Sequence, residues 1–214
     1  MADFEWPVDL VPYRVAFYLQ PHVGGQESPI TRTRKVYGLS APRWLARLTF
    51  RAGDDGVRGQ SAFAPRLDAL IADLEGGLNR IAFWDFRRPR PRGDQREQAV
   101  GSITNGATLE GATTMAWTGH VAHTAAWMPG DYFGGDGRVH MVTGLTPYRT
   151  DGTGAVTISF KPPLATDIGE GAAIRIRPTS LFQLVSEDAG QNDTAVGEDT
   201  EYTLDFVEDL NGDA

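Results

Sequence analysis

The stretch of sequence that decides the fold runs from Phe63 to Arg92 and reads FAPRLDALIADLEGGLNRIAFWDFRRPRPR. Its first half predicts an amphipathic helix over residues 63–75, since apolar residues recur at helical spacing and charged residues lie off that stripe. The stripe consists of Phe63, Leu67, Leu70, Ile71 and Leu74. Gly76 and Gly77 predict the helix end, because glycine readily takes the left-handed conformation found there. Residues 80–86 then predict a strand, so one helix should pack against a sheet.

Strands are also predicted before the helix. Alternating apolar residues predict strands at Pro12–Leu19, Ile30–Tyr37 and Arg43–Phe50. The segment Gly24–Pro29 has the composition of a turn and is interpreted as a hairpin loop. The order of three strands, a helix and a strand predicts a mostly antiparallel sheet covered by the helix.

The middle of the chain predicts a separate all-β unit. From Gly101 to Pro178 no helical periodicity occurs, and the abundant glycine and threonine are typical of short strands joined by tight turns. The strand candidates are Thr114–Trp117, Tyr132–Phe133, Arg138–Thr143, Val156–Phe160 and Ala173–Ile176. Short strands at this spacing favour a small barrel or sandwich.

A closing hairpin is predicted near the end of the chain. Its strands are Leu181–Val185 and Tyr202–Val207, and we expect the pair to return to the first sheet. The predicted fold class is therefore mainly β (α+β). An antiparallel sheet with one packed helix is formed by residues 1–93 and 180–214, and residues 94–179 form an inserted small β-barrel or sandwich domain.

Composition narrows the class of protein. The chain has 214 residues, 41% hydrophobic and 22% charged, which is ordinary for a globular protein. It has no cysteine, so disulfides and thiolate metal sites are excluded. No apolar run reaches the roughly 18 residues that a membrane span needs, and no signal peptide is visible. A cytoplasmic origin is expected.

The net charge of −8 is unevenly distributed. No lysine or arginine follows Arg177, and ten carboxylates crowd that tail. The basic residues collect instead in two groups, which are Arg32, Arg34, Lys35 and Arg87, Arg88, Arg90, Arg92, Arg96. These groups are either solvated surfaces or patches that meet across a self-association interface. The acidic balance and the lack of interleaved aromatic residues do not favour a nucleic-acid binder.

A search for catalytic motifs gives none. No nucleophile elbow, phosphate-binding loop or dinucleotide fingerprint occurs. His120 and His123 lie three residues apart, but their surroundings do not predict the helix that would bring two imidazoles onto one metal ion. We therefore expect no catalytic, cofactor or metal site. Trp117, Trp127 and Tyr132 are either the core of a small β domain or a platform for stacking sugars.

Several motifs carry a family resemblance. They are Arg43-Trp44-x-Ala46-x-Leu48, the helix with Gly76-Gly77-x-Asn79, Phe83-Trp84-Asp85, Arg88-Pro89-Arg90-Pro91-Arg92-Gly93, Trp127-Met128-Pro129-Gly130-Asp131-Tyr132, Arg138-Val139-His140-Met141-Val142, Gly154-Ala155-Val156-Thr157-Ile158 and Lys161-Pro162-Pro163-Leu164. With these motifs, most of the chain resembles the distal tail proteins and related minor tail proteins of siphophage tail tips, including those of gene transfer agents. The resemblance brings no catalytic residues with it.

The resemblance implies a structural role in a virion. Distal tail proteins form hexameric rings that join the tail tube to the hub or baseplate and the fibres, and DNA passes through their channel. The expected partners are therefore other copies of the chain, the tail tube protein, and hub, baseplate and fibre proteins, with assembly in the host cytoplasm. The expected subunit interface consists of Arg32, Arg34, Arg87, Arg88, Arg90 and Arg92. The expected acidic channel lining consists of Glu198, Asp199 and Glu201, which would repel DNA phosphates.

Two other classes of function compete with this interpretation. A carbohydrate-binding module or adhesin requires exposed aromatic residues on the middle domain, and a hydrolase requires a pocket with paired acids of shifted pKa. The middle region is short and has few aromatic residues compared with the carbohydrate-binding-like second domain of the larger distal tail proteins. A scaffold or fibre-docking role is therefore favoured over receptor binding.

Overall fold

The computed structural model describes residues 2–52, 63–93, 103–189 and 200–210. The chain is mostly β, with 45% strand and 8% helix. One short helix packs on antiparallel and mixed sheets, and one sheet curls into a half-barrel. The predicted fold class is confirmed.

The described residues contain thirteen strands and one α-helix. The strands are β1 (Asp3–Glu5), β2 (Arg14–Glu27), β3 (Arg34–Ala52), β4 (Arg80–Phe83), β5 (Thr104–Asn105), β6 (Thr114–Thr118), β7 (Ala125–Trp127), β8 (Tyr132–Phe133), β9 (His140–Thr143), β10 (Tyr148–Arg149), β11 (Val156–Lys161), β12 (Ser180–Leu184) and β13 (Thr200–Glu208). The helix α1 (Phe63–Leu74) is followed by a 3₁₀ turn at Glu75–Gly77.

The first sheet has six strands in the order β1-β4-β12-β13-β3-β2. The β1–β4 pair is parallel, and the other pairs are antiparallel. The closing strands β12 and β13 lie in the middle of this sheet, between β4 and β3. Residues from the two ends of the chain therefore build one sheet, and the segment between β4 and β12 leaves and re-enters it at the same end.

The helix packs on one face of the six-stranded sheet. Leu67, Leu70 and Leu74 are buried there, as the apolar stripe predicts. The core beneath them is largely aromatic and includes Trp6, Phe17, Trp44, Phe50, Phe83, Phe182 and Phe206. The helix ends where Gly76 and Gly77 take φ angles of +64° and +98°, so the predicted stop is confirmed.

The middle unit has its own sheet and its own core. Five strands pair in the order β5-β6-β11-β9-β8, and β10 pairs with β7. The core contains Trp117, Trp127, Phe133, Ile158 and Phe160, all with at most 1% exposure.

The strand predicted at Ala173–Ile176 is wrong. The structure has only an isolated bridge between Gly134 and Ile174 at this segment. The N–H of Ala173 donates instead to the side-chain oxygen of Asn105, 3.0 Å away. A side chain thus takes the place of a strand partner, which alternation of apolar residues cannot reveal.

The predicted Gly24–Pro29 loop is also wrong, and so is the predicted end of the first strand at Leu19. β2 continues past Pro21 to Glu27, the turn covers residues 28–33, and β3 merges the second and third predicted strands into 19 residues. Gly24 pairs with Tyr37, whose ring lies over it: a Cβ on Gly24 would come within 2.8 Å of that ring. An aromatic side chain covering a cross-strand glycine keeps it in the sheet despite its low strand propensity.

Candidate interaction surfaces

The most unusual feature of the molecule is a long two-stranded ribbon, which we name the arm. It comprises residues 20–43, in which β2 and β3 pair only with each other among the described residues. β13 pairs with β3 only from residue 45 onward, so the sheet ends where the arm begins. At about 3.3 Å per residue, the paired part of the arm extends about 25 Å beyond the sheet.

The arm has no hydrophobic core under either face. Between residues 20 and 43 no residue is buried. Five large apolar side chains are at least half exposed, namely Val23, Ile30, Val36, Tyr37 and Leu39. Val36 lies opposite Gly25, which is two residues after Val23, so Val23 and Val36 share one face of the ribbon. Tyr37 follows Val36 directly and therefore lies on the other face. Both faces of the arm therefore offer apolar surface.

The base of the arm is bent by irregular pairing. The register shifts between Gln20 and His22 and again between His22 and Val23, next to Pro21, which cannot donate a ladder hydrogen bond. His22 Nδ1 lies 2.7 Å from Ser40 Oγ across the ribbon. Such bulges turn a strand away from the sheet it leaves and strengthen its twist.

Two of the predicted interface arginines lie on the arm. Arg32 is in the turn at its tip with a φ angle of +54°, and Arg34 begins β3. Both are exposed. With Lys35, Arg43 and the single acid Glu27, they give the arm a net charge of +3.

The other predicted interface arginines are arranged differently. Arg87 donates to both carboxylate oxygens of the buried Asp85 at 2.9 Å and to the carbonyl of Phe17 at 2.7 Å. Asp85 also accepts from the Tyr132 hydroxyl at 3.1 Å. Burial, aided by the Asp85 charge, raises the pKa of Tyr132 to about 12. Hydrogen bonding to Asp85 raises the pKa of Arg87.

The segment after Arg87 is bound to the turn before β8. Arg88 donates to the carbonyl of Gly130 at 3.1 Å, and Arg92 donates to Asp131 through both its backbone N–H and its Nε. Arg90 is exposed. Arg87, Arg88 and Arg92 thus join the first sheet to the middle unit within one chain.

A second junction between the two parts of the chain was not predicted from the sequence. Arg138 makes a bidentate pair with Glu208 at 2.9 and 2.7 Å and also donates to the carbonyl of Pro42. Glu208 also accepts from the backbone N–H of Trp44, whose indole N–H donates to Val139. The partners lie 70 or more positions apart along the chain, and no local pattern signals such a pairing.

The predicted acidic lining is only partly described. Glu198 and Asp199 lie outside the described residues. Glu201 is exposed near the start of β13, where it accepts from the Tyr13 hydroxyl and pairs in register with Arg51. Its immediate surroundings are therefore of mixed charge.

The aromatic residues considered for sugar stacking belong to the core. Trp117, Trp127 and Tyr132 are 1%, 0% and 4% exposed, and a ring buried on both faces cannot stack on a sugar. His120 is buried and His123 is exposed. Within the described ranges, no group of three or more histidine and carboxylate side chains could hold a metal ion.

No protein-family model matches the chain, and no curated protein matches it. In the described part of the chain, no helix has the length and apolar character that a membrane span requires.

Proposed function

We propose that this chain is a structural component of a phage-like tail tip, where copies form a hexameric ring that joins the tail tube to the hub or baseplate and the fibres. The observation that carries the proposal is the exposed arm. The motifs that resemble distal tail proteins supply the setting, which is a virion assembled in the host cytoplasm with a channel for DNA.

The physics of the arm supports a role in assembly. A two-stranded hairpin without a core is marginally stable in water, and soluble monomers rarely expose contiguous apolar patches larger than roughly a few hundred Å². The arm nevertheless carries apolar side chains on both faces. Covering them with a neighbouring subunit removes this surface from water at no cost to the fold of the first sheet.

The layout of the chain also suits a ring. The arm leaves one corner of the sheet, where it can reach a different surface of a neighbouring copy. Heterologous contacts of this kind close into rings when the rotation between subunits allows it. The bidentate pair of Arg138 and Glu208 holds the middle unit against the sheet, as a load-transmitting scaffold needs.

The carbohydrate-binding alternative lacks a supporting observation. The three aromatic side chains on which it depends are core residues of the two hydrophobic clusters.

The test compares the full chain with a variant whose arm is shortened. Residues 22–40 are replaced by Asn-Gly, a sequence that favours two-residue hairpin turns. Light scattering is expected to give a hexamer mass for the wild type and a monomer mass for the variant, with rings visible by negative-stain microscopy only for the wild type. Circular dichroism checks that both proteins are folded. A wild type that is monomeric at every concentration and forms no rings, or a shortened variant with the wild-type mass, contradicts the proposal.

A further inference from the structure

His140, the first residue of β9, lies between two oxygen atoms inside the middle unit. Its side chain has no exposed surface, and neither has that of Asp136. The imidazole Nδ1 lies 2.9 Å from the carbonyl oxygen of Pro162, and Nε2 lies 2.8 Å from Asp136 Oδ1. The two oxygen partners therefore determine how many protons the imidazole carries.

These partners require a proton at each nitrogen of the imidazole. A carbonyl oxygen only accepts, so the contact with Pro162 needs an N–H at Nδ1. A neutral imidazole has a single N–H, and its Nε2 would then direct a lone pair at the carboxylate oxygen of Asp136. The second contact is a hydrogen bond only if a proton lies between Nε2 and Oδ1. That proton belongs either to an imidazolium or to a carboxylic acid.

The other bonds of Asp136 assign this proton to His140. Asp136 Oδ1 also accepts from the backbone N–H of Arg138 at 3.2 Å, and Oδ2 accepts from that of Ala165 at 2.7 Å. Burial alone raises the pKa of Asp136, but the imidazole and these two N–H groups lower it below its ordinary value. Donors favour the ionised carboxyl, and a protonated carboxyl would direct its own hydrogen at one of them. The pair is therefore an imidazolium and a carboxylate.

Two aromatic rings cover the imidazole. Phe133 stacks on it with ring centroids 5.2 Å apart, and Phe160 meets it at 73° with centroids 5.3 Å apart. The face of an aromatic ring attracts a cation, most strongly where water is excluded. The surroundings of His140 therefore suit its charged form.

The elements around the imidazole carry few ionisable side chains. Among the described residues these are Asp136, Arg138, Tyr132, Lys161 and Arg175. Arg138 is paired with Glu208, and the Tyr132 hydroxyl donates to Asp85. Lys161 is exposed, and Arg175 is half-buried in the segment that bridges to Gly134. Within this set, Asp136 is the group that bonds to the imidazole.

The pair joins segments that are separate in the chain, and we name Asp136, His140 and the Pro162 carbonyl the histidine latch. Through Asp136 and Pro162 it ties the turn at residues 134–138 to residues 162–165, which follow β11. The same turn positions Arg138, whose side chain binds Glu208 and the carbonyl of Pro42 at the base of the arm. The latch thus supports the junction between the middle unit and the first sheet.

We propose that the histidine latch is a proton-operated switch. His140 is an imidazolium in the folded protein at neutral pH, and loss of one of its protons as the pH rises releases the turn that positions Arg138. The neutral imidazole donates to Pro162 or to Asp136 but not to both, so one buried acceptor loses its donor at a cost in stability. The stabilisation is present while both protons are bound and is lost as the pH rises through the titration of the imidazole. The switch acts within one copy and does not depend on the proposed hexamer.

The protonation state is measured by ¹⁵N NMR of sedimented protein with labelled histidine side chains, which is independent of assembly size. His140→Gln assigns the signals of His140 among those of the four histidines. Near neutral pH, both nitrogens of His140 should show N–H signals. Asp136→Asn replaces the carboxylate by a neutral amide and should leave a single N–H. Asp151→Asn, at an exposed carboxyl of the same unit, is the matched control and should leave the signals of His140 unchanged.

Hydrogen exchange, read peptide by peptide, measures the release of the turn. Between neutral pH and about pH 9, the protection of residues 134–140 and 162–166, corrected for the intrinsic exchange rate, should fall by about tenfold or more, because a buried hydrogen bond is lost. Protection of residues 45–50 in β3 should stay the same. In Asp136→Asn this step should be absent, because the imidazole is already neutral at the lower pH.

Each outcome decides the proposal. A wild-type His140 with a single N–H near neutral pH overturns the assignment, and two N–H signals with unchanged protection up to about pH 9 overturn the switch. A fall in protection that is equal in β3 indicates global unfolding and also overturns it. The wild type alone decides these points if Asp136→Asn does not fold. Failure of the proposed hexamer is distinguishable, since it appears as a monomer mass in light scattering with both of these measurements unchanged.

Discussion

At the scale of single residues, Arg138 and Glu208 form a buried electrostatic link between the middle unit and the first sheet. The side chains are 9% and 0% exposed, and the pair is bidentate. Arg138→Ala leaves a buried carboxylate whose one remaining partner among the described residues is the Trp44 N–H, so we expect the free energy of unfolding to fall by about 3–5 kcal/mol. Urea denaturation measures this. Arg149→Ala, at an exposed arginine, should change it by about 0.5 kcal/mol or less; equal effects at the two positions would show that the buried pair is not special.

A second residue-scale prediction concerns stability in acid. Burial alone raises the pKa of Asp136, but the His140 ring and the N–H groups of Ala165 and Arg138 hold it below its ordinary value. A carboxyl with a lowered folded pKa stabilises the fold above its unfolded pKa of about 3.9, and this contribution is lost as pH falls through the folded value. We expect unfolding free energy to decline below about pH 4 and Asp136→Asn to flatten that decline. An unchanged acid limb in the variant contradicts the assignment.

The hydrogen-bond partners of the arginines explain why the sequence did not predict where these side chains bind. The run of arginines from Arg87 to Arg92 has the pattern of a free basic patch. Arg87, however, reaches Phe17, 70 positions away, and Arg92 reaches Asp131, 39 positions away. The neighbouring residues in the sequence can be the same for a solvated arginine and for an arginine whose partner lies tens of positions away along the chain. Only the fold distinguishes the two.

At the scale of elements, the spacing of the apolar residues predicted which side chains of each helix or strand face the core. The stripe of α1 and the alternation in β12 and β13 place their buried side chains as the sequence indicates. The same pattern did not predict the strands of the arm, because neither face of the arm packs against a core. Its glycines and Pro29 have the composition of a loop, and what keeps Gly24 in a strand is the ring of Tyr37 across the ribbon.

The end of the helix offers an element-scale prediction with a matched control. Gly77 and Gly111 both have positive φ angles, +98° and +76°. A Cβ on Gly111 meets nothing within 4 Å, whereas one on Gly77 collides with Leu184. Gly111→Ala should therefore cost only the conformational strain, about 1 kcal/mol, and Gly77→Ala should cost clearly more, because α1 must move away from β12. Thermal unfolding of the two variants checks this, and equal losses would refute the role of the close approach.

At the scale of the whole molecule, the first sheet and the middle unit share a core although each has its own sheet. Tyr132 and Val139 belong to the middle unit, yet both are buried in the cluster under the six-stranded sheet. The Trp44 indole N–H donates to the carbonyl of Val139 at 2.7 Å, and the N–H of Val139 donates to the hydroxyl oxygen of Ser180 at 2.7 Å. The contact is therefore an extension of the main core.

This shared core predicts that the two parts unfold together. Exposing Tyr132 and Val139 removes apolar contacts from the cluster under the six-stranded sheet and leaves the buried Glu208 without its arginine, so a state with only one part folded is strongly disfavoured. We expect one calorimetric transition in the wild type, with equal calorimetric and van't Hoff enthalpies. Val139→Asp places a charge in the shared core and should separate the transition into two, whereas Val121→Asp, at an exposed position of the same unit, should leave it single. Two transitions in the wild type would mean that the middle unit is an independent attachment, and the stiffness that a ring scaffold needs would then have to come from contacts between subunits.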